Sequence, residues 1–174
     1  MSTTITTTEP RIYVGTYGKY NSGSIAGDWL DLEGHDKESF YAACRYLHKD
    51  ETDPEFMFQD FEGFPREFYG ESGCDAELWE WLGLNENDRE LLSRYVDAIG
   101  SDGLTIEDAR DAFYGTAESF AEFAENLANE SGSIPKDFPT WIVIDWEASW
   151  NCNLRHDFVT SESENGELYF FNRK

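Results

Sequence analysis

The chain has 174 residues, of which 36 are acidic and 13 basic, giving a formal net charge of −23. It is nonetheless 40% hydrophobic and 16% aromatic, which excludes charge-driven disorder, because such chains lack the apolar residues needed to offset ordering entropy. The length is too short for a (β/α)8 barrel of roughly 250 residues, no run approaches the ~18 apolar residues of a membrane helix, and so acidic a surface repels nucleic acid and anionic membrane alike.

In chain order, Met1–Glu9 is a Thr-rich polar stretch without the basic and apolar regions of a secretory signal. Residues 1–10 are expected to be a disordered tail. Arg11–Tyr17 alternates and is β-prone, and Ser24–Leu32 can pair with it across the turn-forming Gly18–Gly23 stretch. Asp36 is a plausible N-cap for an amphipathic helix that places Phe40, Ala43, Cys44 and Leu47 on one stripe and ends near Lys49. Residues 50–72 interleave Phe56, Phe58, Phe61, Phe64, Phe68 and Tyr69 with acids, and read either as a loop with aromatic anchors or as short strands.

A short helix holding Leu78, Trp81 and Leu82 precedes a longer one from about Asn85, with Leu91, Leu92, Tyr95, Val96 and Ile99 on one stripe and a stop at Gly100. Thr105 and Asp108 form a capping-box pattern that opens a helix to about Tyr114, and a further helix is expected from Ala117 to Asn129. On that helix Phe120, Phe123, Ala124 and Leu127 would face inward and Glu118, Glu122 and Glu125 outward. Trp141–Trp150 is open between strand, favoured by Ile142–Ile144, and helix, favoured by its later residues. Two alternating segments, Asp157–Ser161 and Glu167–Asn172, flank Asn165–Gly166 and predict a hairpin. The expected fold is α+β: an elongated chain of small subdomains, with an N-terminal antiparallel sheet plus helix (11–62), a central helical bundle (63–103), and C-terminal helices with a terminal β-hairpin (104–174). Breaks are expected near 62–74 and 100–104.

The acid excess is uneven. Residues 1–49 hold six acids and five bases, whereas 50–174 hold thirty and eight. Residues 50–88 contain thirteen acids, Asp50, Glu51, Asp53, Glu55, Asp60, Glu62, Glu67, Glu71, Asp75, Glu77, Glu80, Glu86 and Asp88, against the single base Arg66. Residues 95–135 contain nine, Asp97, Asp102, Glu107, Asp108, Asp111, Glu118, Glu122, Glu125 and Glu130, against Arg110 alone. Ordinary surfaces intersperse the two signs. Adaptation to salt would act along the whole chain, yet the first 49 residues escape it, so these 22 acids are the candidate surface for a basic partner. At two charges per base pair, the net charge equals that of about 12 bp of duplex. On the expected helix, Glu118 to Glu122 would advance ~6 Å and Glu122 to Glu125 ~4.5 Å, sparser than the ~3.4 Å phosphate spacing of one DNA strand. Imitation of DNA would therefore need several elements side by side.

Other chemistries find no support. Asp145–Trp146–Glu147 matches the end of a chitinase-type DxDxE signature, but Val143 stands where an acid is required. A calcium loop aligned on Gly103 would place Ala98, Gly100 and Ala109 at ligand positions. His35, His48 and His156 form no metal spacing and read as loop or helix-end residues, and Cys44, Cys74 and Cys152, without a CxxC, read as reduced, mostly buried thiols of a cytoplasmic protein. Gly15, Gly18, Gly23 and Gly27 lie in a hairpin rather than a phosphate loop.

The stretches Ile12–Leu32 (IYVGTYGKYNSGSIAGDWLDL), Phe40–Leu47 (FYAACRYL) and Asp53–Pro65 (DPEFMFQDFEGFP) resemble the ArdA antirestriction proteins, as do the Phe113–Pro135 block and Ile144–Ala148 (IDWEA). The resemblance implies an elongated dimer of α+β subdomains, carried by mobile elements and acting in the cytoplasm of the bacterial host. It further implies a mimic of bent B-form DNA that occupies the DNA-binding groove of type I restriction–modification enzymes, with no catalytic activity or cofactor, while the absence of metal spacing and the acidic charge separately predict no metal site and no binding to nucleic acid or membrane. It also favours helix over strand for 141–150, and it is interrupted at Ser149–Leu154 (SWNCNL). The rival readings are an acidic adaptor or chaperone for another basic protein and a small hydrolase using two carboxylates, which would need a pocket holding them.

Overall fold

A computed structural model describes residues 8–173, and among these are seven α-helices and two three-stranded antiparallel sheets, an α+β architecture as expected. The chain divides into two compact units, Met1–Arg89 and Glu90–Lys174. The breaks expected near 62–74 and 100–104 fall within these units rather than at their boundary. Of the expected tail, residues 1–7 lie outside the described residues. Pro10 is buried, and its carbonyl accepts from the Leu32 amide at 2.8 Å. A Cβ at Gly63, where φ is +78°, would come within 2.3 Å of the Thr8 carbonyl oxygen, so that crossing requires glycine.

In the first unit, β1 (Arg11–Thr16) is the central strand, paired with β2 (Asp28–Asp31) on one side and β3 (Phe56–Glu62) on the other. The expected hairpin is present with Arg11 opposite Asp31, but its connection is more than a turn. Thr16 accepts from the Lys19 amide and starts a short helix, α1 (Tyr17–Asn21), a local cap that the glycines obscured. Helix α2 (Lys37–Leu47) begins at the expected Asp36 cap, a capping box completed by Ser39. Ile12, Val14 and Thr16 of β1 are buried together with Phe40 and Cys44 of α2, Phe58 of β3 and Leu32. The choice left open over 50–72 resolves to strand β3 followed by a 3-10 turn at Arg66–Phe68 that buries Phe68. Helix α3 (Glu77–Leu82) adds Leu78 and Trp81 to the core, and Trp81 Nε1 donates to the Arg89 carbonyl.

The second unit begins within α4 (Glu86–Ile99), whose Leu92, Tyr95 and Val96 are buried as the stripe predicts, while Ile99 is exposed. The Thr105–Asp108 capping box starts α5 (Ile106–Ala112), but that helix stops two residues short of Tyr114. Phe113–Ala117 is instead strand β4, pairing with the last strand through Phe113 opposite Phe171. Asn172 Nδ2 donates to the Ala112 carbonyl at 3.3 Å, satisfying an acceptor that the ended helix leaves open. The helix expected from Ala117 starts at Phe120 as α6 (Phe120–Glu130), capped by Ser119, so Glu118 lies before it. The terminal hairpin is β5 (Phe158–Glu162) and β6 (Leu168–Asn172), with Gly166 at φ +87° in its turn.

Strand β6 is central and covered on both faces, which explains its unbroken apolar run LYFF. On one face Phe170 stacks on Phe123 of α6 at 3.7 Å, with Trp150 of α7 (Trp146–Cys152) and Phe158 completing the cluster. On the other face Phe171 meets Tyr95 of α4 at 4.9 Å and Phe113 at 5.7 Å. The segment left open at 141–150 is helical only from Trp146, after an Asp145 cap. Trp141 and Val143 are 80% and 91% exposed, so the β-branched run belongs to neither a strand nor a helix.

Candidate acidic interface

The 22 candidate acids occupy every kind of local structure. Asp50, Glu51, Asp53 and Glu55 lie between α2 and β3, Asp60 and Glu62 on β3, and Glu67, Glu71 and Asp75 around and after the 3-10 turn. Glu77 and Glu80 are on α3, Glu86, Asp88 and Asp97 on α4, and Asp102 between α4 and α5. Glu107, Asp108 and Asp111 are on α5, Glu118 precedes α6, and Glu122, Glu125 and Glu130 are on α6. None is buried: Glu51, Glu62, Glu67, Glu77, Asp88 and Asp108 are half-buried and the other sixteen are exposed. This follows from the fold, because the inward stripes are filled by aromatics and aliphatics and leave no apolar seat for a carboxylate.

Several of these acids are engaged in holding the fold. Asp108 closes the α5 capping box, and Asp88 accepts from Asn85 Nδ2 at 2.6 Å while its amide donates back to Asn85 at 3.0 Å. Glu122 Oε2 accepts from the Glu118 amide at 2.6 Å, and Glu62 receives Arg11 Nε at 2.8 Å. Asp50 and Glu51 belong to a cluster around Lys19. Its ammonium lies 3.0 Å from Asp50, 3.7 Å from Glu51 and 2.9 Å from His48 Nδ1. The Val14 carbonyl accepts from His48 Nε2 at 3.0 Å, which leaves Nδ1 as the acceptor for Lys19. Thr16, fully buried, donates to Glu51 at 2.7 Å. The Lys19 hydrogen bond holds the Asp50 carboxyl below the usual carboxylate range, and the Ser39 amide does the same for Asp36.

Glu71 accepts from the Tyr17 hydroxyl, Asp97 from the Ser161 hydroxyl, and Glu107 pairs with Arg110. Among the described residues, Asp53, Glu55, Glu80, Glu86, Asp102, Asp111, Glu125 and Glu130 form no ion pair, whereas Arg11, Lys19, Arg89, Arg94 and Arg110 each have a carboxylate partner. Five of the thirteen bases are thus paired within the fold, and the field at the surface is set by the excess of acids. The candidate set omitted exposed acids near the C-terminus, including Glu147, Glu162 and Glu164, because it was drawn from the two base-poor segments 50–88 and 95–135.

A groove in the first unit has one carboxylate, Glu71, and one between α6 and α7 has none. Neither provides the facing pair that glycoside hydrolysis uses. Among the described residues, no group of three or more His, Cys, Asp or Glu is placed to hold a metal ion, and no helix is long and apolar enough to cross a membrane. Of the thiols, burial pushes Cys44 up to about 12 and Cys74 up to about 11, while Cys152 is exposed, correcting the expectation that most are buried. His48 caps α2 as a helix-end residue, though it is a buried one.

The model of the ArdA antirestriction protein family matches residues 12–166. The chain belongs to the ArdA antirestriction family. A comparison with curated proteins finds no match. The match covers the first sheet from Ile12 and, in the second unit, β4 and β5 but not β6, so membership rests on both units, and antirestriction is the activity it supports.

Proposed function

We propose that this ArdA-family chain is a DNA mimic that occupies the DNA-binding groove of type I restriction–modification enzymes and so protects incoming mobile-element DNA in the bacterial cytoplasm. The observation that carries the reading is the placement of the acids: 22 carboxylates in two segments nearly free of bases, none of them buried, on a core stiffened by stacked aromatics. A rigid core holds like charges at fixed positions against their mutual repulsion, which a competitor for a Lys- and Arg-lined groove requires. The 22 acids act together as the binding surface, with Asp50, Glu51, Glu62, Glu71, Asp88, Asp97, Asp108 and Glu122 also bracing the fold. The protein supplies electrostatic complementarity alone, without catalysis or cofactor.

A homodimer is part of the same proposal, with Trp141, Ile142 and Val143 as the contact. This exposed apolar run lies in residues 131–144, where Lys136 and Asp137 cancel. Two copies at −23 each repel elsewhere, and here they can touch without opposing carboxylates. The direct test is displacement of a labelled duplex from a purified type I restriction–modification enzyme by the full-length protein. Displacement in proportion to added protein is expected, and an enzyme that retains its DNA at saturating protein would refute the reading.

A further inference from the structure

One place in the first unit joins an acid to aromatic walls. The bulge between β1 and β3 leaves Gln59 unpaired, because Val14 is opposite Phe58 and Tyr13 opposite Asp60. The bare backbone of Gly15 lets the Gln59 amide lie against the outer side of the sheet, and a Cβ there would meet its Cδ and Nε2 at 3.0 Å. Beside it is a groove of about 310 Å3 lined by Tyr20, Ile25, Met57, Gln59, Tyr69 and Glu71. Tyr20 is 52% and Ile25 73% exposed, apolar surface left in water at the groove's mouth. The acid is positioned, since Tyr17 donates its hydroxyl to Glu71 Oε1 at 3.1 Å. Tyr69 is fixed by its hydroxyl donating to the Phe58 carbonyl at 2.6 Å and by stacking on Phe61 at 4.4 Å. None of the lining residues is basic, and Lys19, adjacent to Tyr20, has its ammonium committed to His48 and Asp50.

We propose that this groove receives one arginine side chain of the basic surface the protein binds, an inference that rests on the functional reading above. Ile25 and Met57 accept the alkyl stem. The tyrosine faces favour a planar cation, and Glu71 with the Gln59 carbonyl oxygen accepts its N–H groups. A wholly apolar occupant would strip water from Glu71 without replacing it, and an anion would be repelled. Lysine offers the charge but not the flat, multiply donating head.

The test titrates the full-length protein with Nα-acetyl-arginine methylamide and with its lysine and norleucine counterparts, followed by amide NMR shifts. Saturable shifts at Ile25, Gln59 and Glu71 are expected for arginine, weaker ones for lysine and none for norleucine. Glu71→Gln is expected to weaken arginine binding about tenfold and to weaken DNA displacement more than Glu125→Gln does. Equal response to norleucine, absence of saturable shifts, or an unchanged affinity in Glu71→Gln overturns the groove's assignment. If wild type displaces DNA and Glu71→Gln displaces it equally well, the assignment fails while DNA mimicry stands. If arginine saturates the groove but wild type displaces no DNA, the assignment stands and the mimicry fails.

Discussion

Lys19 organises more of the first unit than any acid near it. Its ammonium joins α1 to the end of α2 through His48, Asp50 and Glu51, and its amide is the one that Thr16 caps. Asp50 is therefore both a candidate surface acid and a structural one, and pH separates the two roles. The folded carboxyl titrates below its unfolded value near ~3.9, so its contribution to stability is complete above that value and is lost as pH falls through the lower folded one. Asp50→Asn is thus expected to lower the urea midpoint by a constant amount from neutrality down to about pH 5, with the gap closing only below the ordinary carboxylate range. A gap that does not change with pH would remove Lys19 pairing as the cause. Legibility at this scale follows sequence separation. The Thr105 cap was readable because Asp108 lies three residues on, and the Asp36 cap because it stands just before an amphipathic stripe. The Lys19–His48 and Thr16–Glu51 contacts, 29 and 35 residues apart, leave no local pattern, and His48 looked like any helix-end histidine.

At the scale of elements, periodicity found what the element itself decides. Helices α2 and α4 and the β5–β6 hairpin carry their own stripes, alternation and turn residues, and they appeared where those signals put them. Strand β4 did not, because Phe113 and Tyr114 continue the helical spacing of α5 and the strand exists only through pairing with β6, about 55 residues later. The same long-range pairing moved the start of α6 to Phe120 and took Glu118 off its acidic face. Trp141–Val143 failed differently: β-branched residues signal burial, yet here they lie open to solvent. If that run is the contact between two copies, Trp141→Glu with Val143→Asp is expected to convert a dimer to a monomer in sedimentation velocity. Circular dichroism and the thermal midpoint of the monomer should show a folded chain, since neither side chain is in the core. A variant that still sediments as a dimer would move the interface elsewhere.

For the whole molecule, net charge and its segregation were legible at once, because composition does not depend on the fold. Which acids brace the fold and which face outward was not. The distinction matters for testing mimicry: Glu122 is a poor probe because its carboxylate receives the Glu118 amide, whereas Asp53, Glu55, Glu80 and Glu125 have no such duty. Neutralising Glu125 alone is expected to change DNA displacement less than about twofold, since a surface pair is worth little by itself. Neutralising all four together should weaken displacement well beyond that, because the attraction is distributed. Salt supplies the more searching comparison. Duplex DNA carries a charge per ~1.7 Å of axis and gains affinity by releasing condensed counterions, so its binding falls steeply with ionic strength. The protein spreads a net charge of −23 over 10986 Å2 of surface, and even on α6 Glu122 and Glu125 stand ~4.5 Å apart along the axis, so its ion atmosphere is thinner than that of the duplex. Binding of this protein to a restriction enzyme should therefore weaken with salt, but less steeply than binding of DNA. The ratio of protein to DNA needed for half-displacement is expected to fall as salt rises from 50 to 200 mM, a range over which DNA loses orders of magnitude in affinity. A ratio that stays constant would mean that the protein depends on charge as heavily as DNA does, a ratio that rises with salt that it does so more heavily, and a salt-independent affinity would deny the acids a role in binding.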